Sequence, residues 1–390
     1  MGYKVKTKKS NRQRSSNPVK KIGTGIVMFI IGTILLFWNE GDYVKTKSSI
    51  NEAQSVVVEV DDVSSPDPDL NGKLIYGVSK VQTNDILRDE LLGISANAVN
   101  IWRLVEYYQL VEESTTSSNR GRSRSITYTY KKDWVGSPVN SSGFKDPQYQ
   151  SANSVIIEIE DEYVAADNVS WGAYKLPSFI IDEIDEDMPI DIQISEQQKA
   201  EWEKKLQLAS KASAENIHIS DNEVYFGADP SSPAIGDVRV TVTYTPPGVD
   251  ISLMAQVQDN TFIEFMAKNG IGFWSVENGV VSAAQMFENK IASNLMMTWI
   301  LRVLGMILIL IGLKMMFSIL PALLNVLPIL GSIVSAGVGL VCIVFGLVWS
   351  FLIIGIAWLF YRPLIAIIFL LIAGAGIWLL KKKMKGGVRN

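Results

Sequence analysis

The chain has 390 residues, of which 48% are hydrophobic and 19% charged, with a formal net charge of −4. That value hides a division: eight Lys/Arg lie in the first 21 residues, five in the last ten and three among C-terminal apolar runs. The other 20 share residues 39–293 with all 40 acids, so that stretch carries about −20. A basic–acidic–basic chain points to a membrane rather than to a soluble globule. The single cysteine, Cys342, excludes an internal disulfide, and the single histidine, His218, leaves no His/Cys metal spacing.

In chain order, residues 1–21 read as a basic tail. Residues 22–38 (IGTGIVMFIIGTILLFW) are uncharged and reach roughly 26 Å as a helix, enough to span a membrane. WNEGDYVKTK follows without a small-x-small cleavage pattern, which favours an uncleaved anchor over a signal peptide. Residues 39–293 then form an acidic domain. RLVEYYQLVEE (103–113) and SITYTYKKDW (125–134) alternate at period two around the polar STTSSNRGRSR and predict a hairpin. NSVIIEIE (153–160), DVRVTVTY (237–244), ISLMAQV (251–257) and TFIEFMA (261–267) predict further strands. SEQQKAEWEKKLQLASKAS (195–213) predicts a helix with a Ser195/Gln198 capping box and Trp202, Leu206 and Leu208 as its apolar stripe. Phe287, Ile291 and Leu295, four apart, predict a second helix running into the next span.

Residues 294–316 are that span. Pro321, Asn325 and Pro328 make 317–330 an interfacial or re-entrant connector, 331–360 are a third span, and 364–380 a fourth after Tyr361-Arg362-Pro363. Residues 381–390 form a second basic tail. Lys and Arg at both termini place both on the cytoplasmic side. The expected fold class is a multi-pass α-helical membrane protein with four spans and a large extracytoplasmic α+β domain, mainly antiparallel, between spans 1 and 2. Basic tails of this kind are held by anionic lipid. With almost no aromatic interleaving they predict no nucleic-acid partner.

Arg302 falls inside a span, and no Asp or Glu occurs from residue 294 onward. One reading has Arg302 snorkel to the far side while Lys314 reaches the cytoplasmic side. The other has it pair with Glu40 or Glu288. A Glu40–Arg302 contact would clamp the first span to the bundle.

Catalytic patterns are missing. Ser142–Lys145 matches SxxK without partner motifs, and His218 sits in an alternating strand. The acidic run 182–191 lacks the EF-hand spacing and reads as a solvated loop. No catalytic residue, metal or cofactor is expected. Ser332/Ala336, Ser335/Gly339 and Gly346/Ser350, small residues four apart, suit close helix packing or self-association. Asn140 and Asn168 begin sequons that matter only in a eukaryotic lumen.

The order of these features resembles the transmembrane protein 43 family, also called LUMA. The resemblance rests on WNEGDYVKT (38–46), VEYYQLVEE (105–113), YTYKKDW (128–134), IGDVRVTVTY (235–244), NLMMTWILRVLG (294–305) and WLFYRPL (358–364). It implies four spans, and it makes Glu40, Arg302, Trp358, Tyr361, Arg362 and Pro363 the residues to examine for structural or interaction roles. Animal members are similar in self-associating and organising other membrane proteins, including emerin, and lamins, in the endoplasmic reticulum and inner nuclear membrane. The lysine- and isoleucine-rich make-up here suits a bacterial member in an inner membrane. The expectation is therefore a non-enzymatic scaffold whose partners are the bilayer, itself and other membrane proteins. The alternative is a transporter, channel component or lipid-handling protein.

Overall fold

A computed structural model describes residues 3–7, 18–119, 123–193, 195–208, 216–318 and 328–363. Its helices are α1 (Pro18–Val56), α2 (Ser178–Ile181, one turn), α3 (Glu196–Leu208), α4 (Ala283–Met316) and α5 (Pro328–Tyr361). Among the described residues, α1, α4 and α5 are long and apolar enough to cross a membrane. The fourth expected span, 364–380, the tail 381–390 and most of the connector 317–330 lie outside those residues.

The helices overrun their apolar segments. α1 has 39 residues, about 58 Å, and continues beyond Trp38 through NEGDYVKTKSSINEAQSV. α4 begins in the domain, where Ser282 caps it by accepting a hydrogen bond from the Gln285 N–H at 3.3 Å. It continues into the span without a break, as the Phe287/Ile291 spacing requires.

Two antiparallel-dominated sheets form the domain, and the labelled strands are β1 (Leu74–Thr83), β2 (Asn100–Asn119), β3 (Ser123–Val135), β4 (Ile217–Ser220), β5 (Glu223–Phe226), β6 (Val238–Thr245), β7 (Asp250–Gln258) and β8 (Thr261–Ile263). In the first, eight-stranded sheet the order is Tyr3–Thr7, β3, β2, β6, β5, β4. The second, seven-stranded sheet runs from Tyr174–Lys175 and Val169–Trp171 through β1 and β7 to β8. One apolar core joins them, with Val105, Val238, Val240 and Val242 from the first and Ile75, Ile251, Leu253 and Trp171 from the second. A second cluster seats the helices on the domain: Ile50 and Ala53 of α1 and Met286 and Phe287 of α4 pack on Leu74, Met254 and Phe273.

The hairpin β2–β3 is present, but it consumes most of the expected polar loop. Pairing runs on to Asn119↔Ser123. The strand expected at 153–160 does not form. That segment lies beside β2 and is held by side chains instead of a ladder: Asn153 Oδ1 accepts from Leu110 N at 2.8 Å, Gln109 Nε2 donates to Ser154 O at 2.9 Å, and Tyr107 Oη pairs with Ile159 O. The neighbouring pairing strand is Glu162–Ala165. The run 261–267 splits, because β8 pairs with β7 whereas Phe265–Met266 pairs with Gly272–Phe273. In α3 the Ser195 hydroxyl caps Gln198 N at 3.2 Å, but the Gln198 side chain donates to Leu91 O instead of closing a box. Trp202 is buried against Phe226. Residues 209–213 of the expected helix lie outside the described residues.

Tyr3–Thr7 pairs with β3 from Tyr128 to Arg124. A bilayer crossed by α1 between them would separate these segments, so that pairing and that crossing are alternatives.

Two local features make checkable predictions. Gly172 has φ +58°, and a Cβ there would run into the Val63 carbonyl. Gly172→Ala should therefore cost about 2–4 kcal/mol, from backbone strain plus overpacking, read as a lowered unfolding temperature. Tyr163 has its phenol pushed up to about 12, first by desolvation and then by the charge of Asp182, to which it donates at 3.2 Å. An unfolded tyrosine titrates near 10. A raised folded pKa means that the stabilisation is complete below about pH 10 and is lost as pH rises through 12. Tyrosinate absorbance should lose one late-titrating group in Tyr163→Phe and shift it partly downward in Asp182→Asn.

Candidate functional site

The site grows from the way α1 and α4 meet. Their facing residues are antiparallel and recur every seven positions: Gly25 with Gly312, Gly32 with Gly305, and Asn39 with Thr298. A seven-residue repeat keeps one narrow face turned to a partner helix. A Cβ on Gly25 would stand 2.7 Å from Gly312 O, and one on Gly32 would stand 2.8 Å from Gly305 O. Only glycine permits such backbone approach. At the end of this seam polar groups replace glycine. Asn39 Nδ2 donates to Thr298 O at 3.1 Å, and Asn294 Nδ2 to Tyr43 O at 3.2 Å. The expected small pair Gly346/Ser350 has a narrower part: Gly346 meets Leu310 and Leu313 of α4, while Ser350 donates back to Gly346 O.

Next to Asn39, Glu40 is fully buried. Arg302 grips it in bidentate fashion, Nε to Oε1 at 2.6 Å and Nη2 to Oε2 at 2.9 Å. Trp358 Nε1 of α5 donates to the same Oε2 at 2.9 Å. Arg302 therefore does not run out to the boundary as snorkelling would have it: it is 9% exposed and turns into the bundle. Of its two candidate partners, Glu40 holds it and Glu288 is exposed on α4. The Arg302 guanidinium also lies 4.8 Å from the Trp299 ring centre.

Arg362 and Tyr361 pack on the same stretch of α1. Arg362 stacks its guanidinium 4.6 Å from the Tyr43 ring and 5.6 Å from Trp358. Among the described residues its Nη2 is buried without a hydrogen-bond partner. Tyr361 lies over Gly41, where a Cβ would come within 2.5 Å of the ring, and packs on Phe37 at 5.7 Å between centroids. Pro363 is exposed just beyond α5. Sequence reasoning missed Tyr43, Gly41, Trp299 and the Asn39–Thr298 contact. The signal that could have found some of them is the seven-residue spacing of Gly25, Gly32 and Asn39 against Thr298, Gly305 and Gly312.

The Glu40 and Arg302 charges cancel, while the Arg362 guanidinium is set against the Tyr43 and Trp358 rings. Among the described residues three donors, two from Arg302 and one from Trp358, meet the two oxygens of Glu40. The arrangement holds three helices at one point.

A helical hairpin carrying an antiparallel two-sheet domain, sealed by a buried carboxylate–guanidinium pair, defines an integral membrane protein. The Transmembrane protein 43 family model matches residues 107–363, and the chain belongs to that family. It is 28% identical over 393 residues to Transmembrane protein 43 of Homo sapiens, covering 96% of this chain and 92% of the relative. The Mus musculus protein is 28% identical over 356 residues, with 87% and 84% covered. The Transmembrane protein 43 homolog of Drosophila melanogaster is 25% identical over 367 residues, with 91% and 92% covered. No solved structure matches the chain.

Proposed function

We propose that this chain is a non-enzymatic membrane organiser that self-associates and binds other membrane proteins through its β domain. The observation that carries this reading is the continuity of α1 and α4 from the apolar segments into the domain, locked by Glu40, Arg302 and Trp358. Such a joint presents a domain at a fixed attitude to the helices that carry it, which suits a scaffold. Both termini lie in the cytoplasm, which releases Tyr3–Thr7 from the hairpin in the membrane. The membrane is a bacterial inner membrane, or the endoplasmic reticulum or inner nuclear membrane in a eukaryote.

The test is crosslinking in the native membrane, followed by purification in mild detergent and mass spectrometry. Homo-oligomers with recurring protein partners are expected. A lone protomer that carries only lipid would overturn the organiser reading. The second reading, a transporter, channel component or lipid-handling protein, is favoured by one observation: a buried charge pair beside the apolar segments. Against it, the glycine seam between α1 and α4 leaves no room for a path between them. Flux into liposomes that Arg302→Ala abolishes while assembly survives would establish transport.

A further inference from the structure

The outer face of the first sheet carries a cavity of about 420 Å³ that the site above does not use. Register builds its floor. Trp102 lies opposite Tyr163 on one side and Thr243 on the other, so the three share one row and one face. Leu104 and Thr241 make the next row on that face. Trp102 is 46% exposed and Leu104 43% exposed, unusual for large apolar side chains in mid-sheet. The Trp102 and Tyr163 rings stand 5.1 Å apart and tilted by 55°, forming a corner on the cavity lining.

The acidic run 182–191 roofs this floor. It is not a free loop. Buried Asn100 donates to Ile184 O at 2.5 Å, Asn278 donates to Asp185 O at 2.6 Å, and Glu186 N donates to Thr245 Oγ1 at 3.1 Å. Met188–Pro189 then pairs with β6. These anchors hold Asp182, Asp185 and Asp187 on the cavity lining. No Lys or Arg lines the cavity, and among the described residues none of these three carboxylates has an ion-pair partner. No group of three acids among the described residues is gathered closely enough to hold a metal ion.

We propose that this cavity binds an organic ammonium ion, seated on the Trp102 and Tyr163 rings and neutralised by Asp182, Asp185 and Asp187. Aromatic faces attract alkylammonium groups through their quadrupole, whereas an inorganic dication needs a shell of oxygens that Trp102 and Leu104 do not offer. The volume falls within the range of small-molecule sites. Three aspartates would repel a phosphate, so a free amine suits the cavity better than a phosphocholine headgroup.

Isothermal titration of the full-length protein in detergent tests this, with spermidine, choline, glycerophosphocholine and calcium as separate probes. Saturable binding of spermidine or choline, tighter than that of glycerophosphocholine, is expected. Trp102→Leu should weaken it roughly fivefold to thirtyfold, the loss of one desolvated cation–aromatic contact. Trp102→Phe should retain most of it and serves as the folding control. Asp187→Asn should weaken it too, and asparagine tolerates the left-handed backbone at φ +45° there. Absence of saturable amine binding overturns the proposal. So does amine binding that Trp102→Leu leaves unchanged, or tighter binding of calcium than of either amine, since each describes a plain acidic surface.

Discussion

Glu40→Ala or Arg302→Ala should each cost about 3–5 kcal/mol, because removing one partner leaves the other charge buried and unpaired. Thermal unfolding in detergent reads the loss. Arg302→Lys should fail to restore stability, since a single ammonium cannot reproduce the two parallel bonds to Oε1 and Oε2. The double reversal, Glu40→Arg with Arg302→Glu, should recover part of what either reversal alone destroys. Recovery stays incomplete because Trp358 Nε1 donates to Glu40 Oε2 and an arginine at 40 cannot accept. Strict additivity of the two reversals would mean the pair contributes nothing and would sink the clamp.

The second large effect is expected at the glycine seam. Gly25→Leu or Gly32→Leu would place a side chain where a carbonyl oxygen of α4 already stands 2.7 or 2.8 Å from the Cβ position. Backbone cannot step aside as a flexible side chain would, so the helices have to separate. Each substitution should cost about 1–3 kcal/mol from overpacking and also weaken the Glu40–Arg302 contact further along the same seam. The pair of substitutions should cost less than the two singles added together, since separation by the first makes room for the second. Among the described residues, Gly23 and Gly355 meet nothing within 4 Å of a Cβ. Alanine at those positions should be neutral or slightly stabilising, since it removes glycine's backbone entropy. Equal damage at Gly23 and Gly32 would mean that the seam is not special.

Legibility in the sequence followed the physics of exposure. β2 and β6 were readable because alternation separates a core face from a wetter one; β3 was readable as the hairpin partner of β2, and β7 from its apolar run, although it is buried on both faces. β1 was not readable. It is a central strand in which Gly77 takes the place of a side chain so that the Trp171 ring fits 2.8 Å from its Cβ position, and such a strand has no clean period two. The segment 153–160 misled for the opposite reason, since it alternates but its backbone meets the Gln109 and Tyr107 side chains and Gly236 O rather than a ladder. The extension of α1 beyond Trp38 was hidden by polarity: NEGDYVKTKSS has no apolar stripe wide enough to announce a helix. At the site, charge logic narrowed the partners of Arg302 to two, because acids are absent after residue 288. The stacking of Arg362 on Tyr43 stayed invisible, because it depends on how α5 lies across α1, which no spacing along one chain records.

The unbroken course of α1 also gives the molecule a mechanical property. From Trp38 to Val56 the helix extends about 27 Å beyond the apolar segment, and its far end is seated on the domain through Ile50 and Ala53. It therefore works as a lever with its fulcrum at the Glu40–Arg302–Trp358 joint. Helices adjust their tilt to bilayer thickness, and a tilt of about 10° swings the end of such an arm by about 5 Å. A thinner or thicker membrane would then reorient the whole β domain, with no ligand needed to move it.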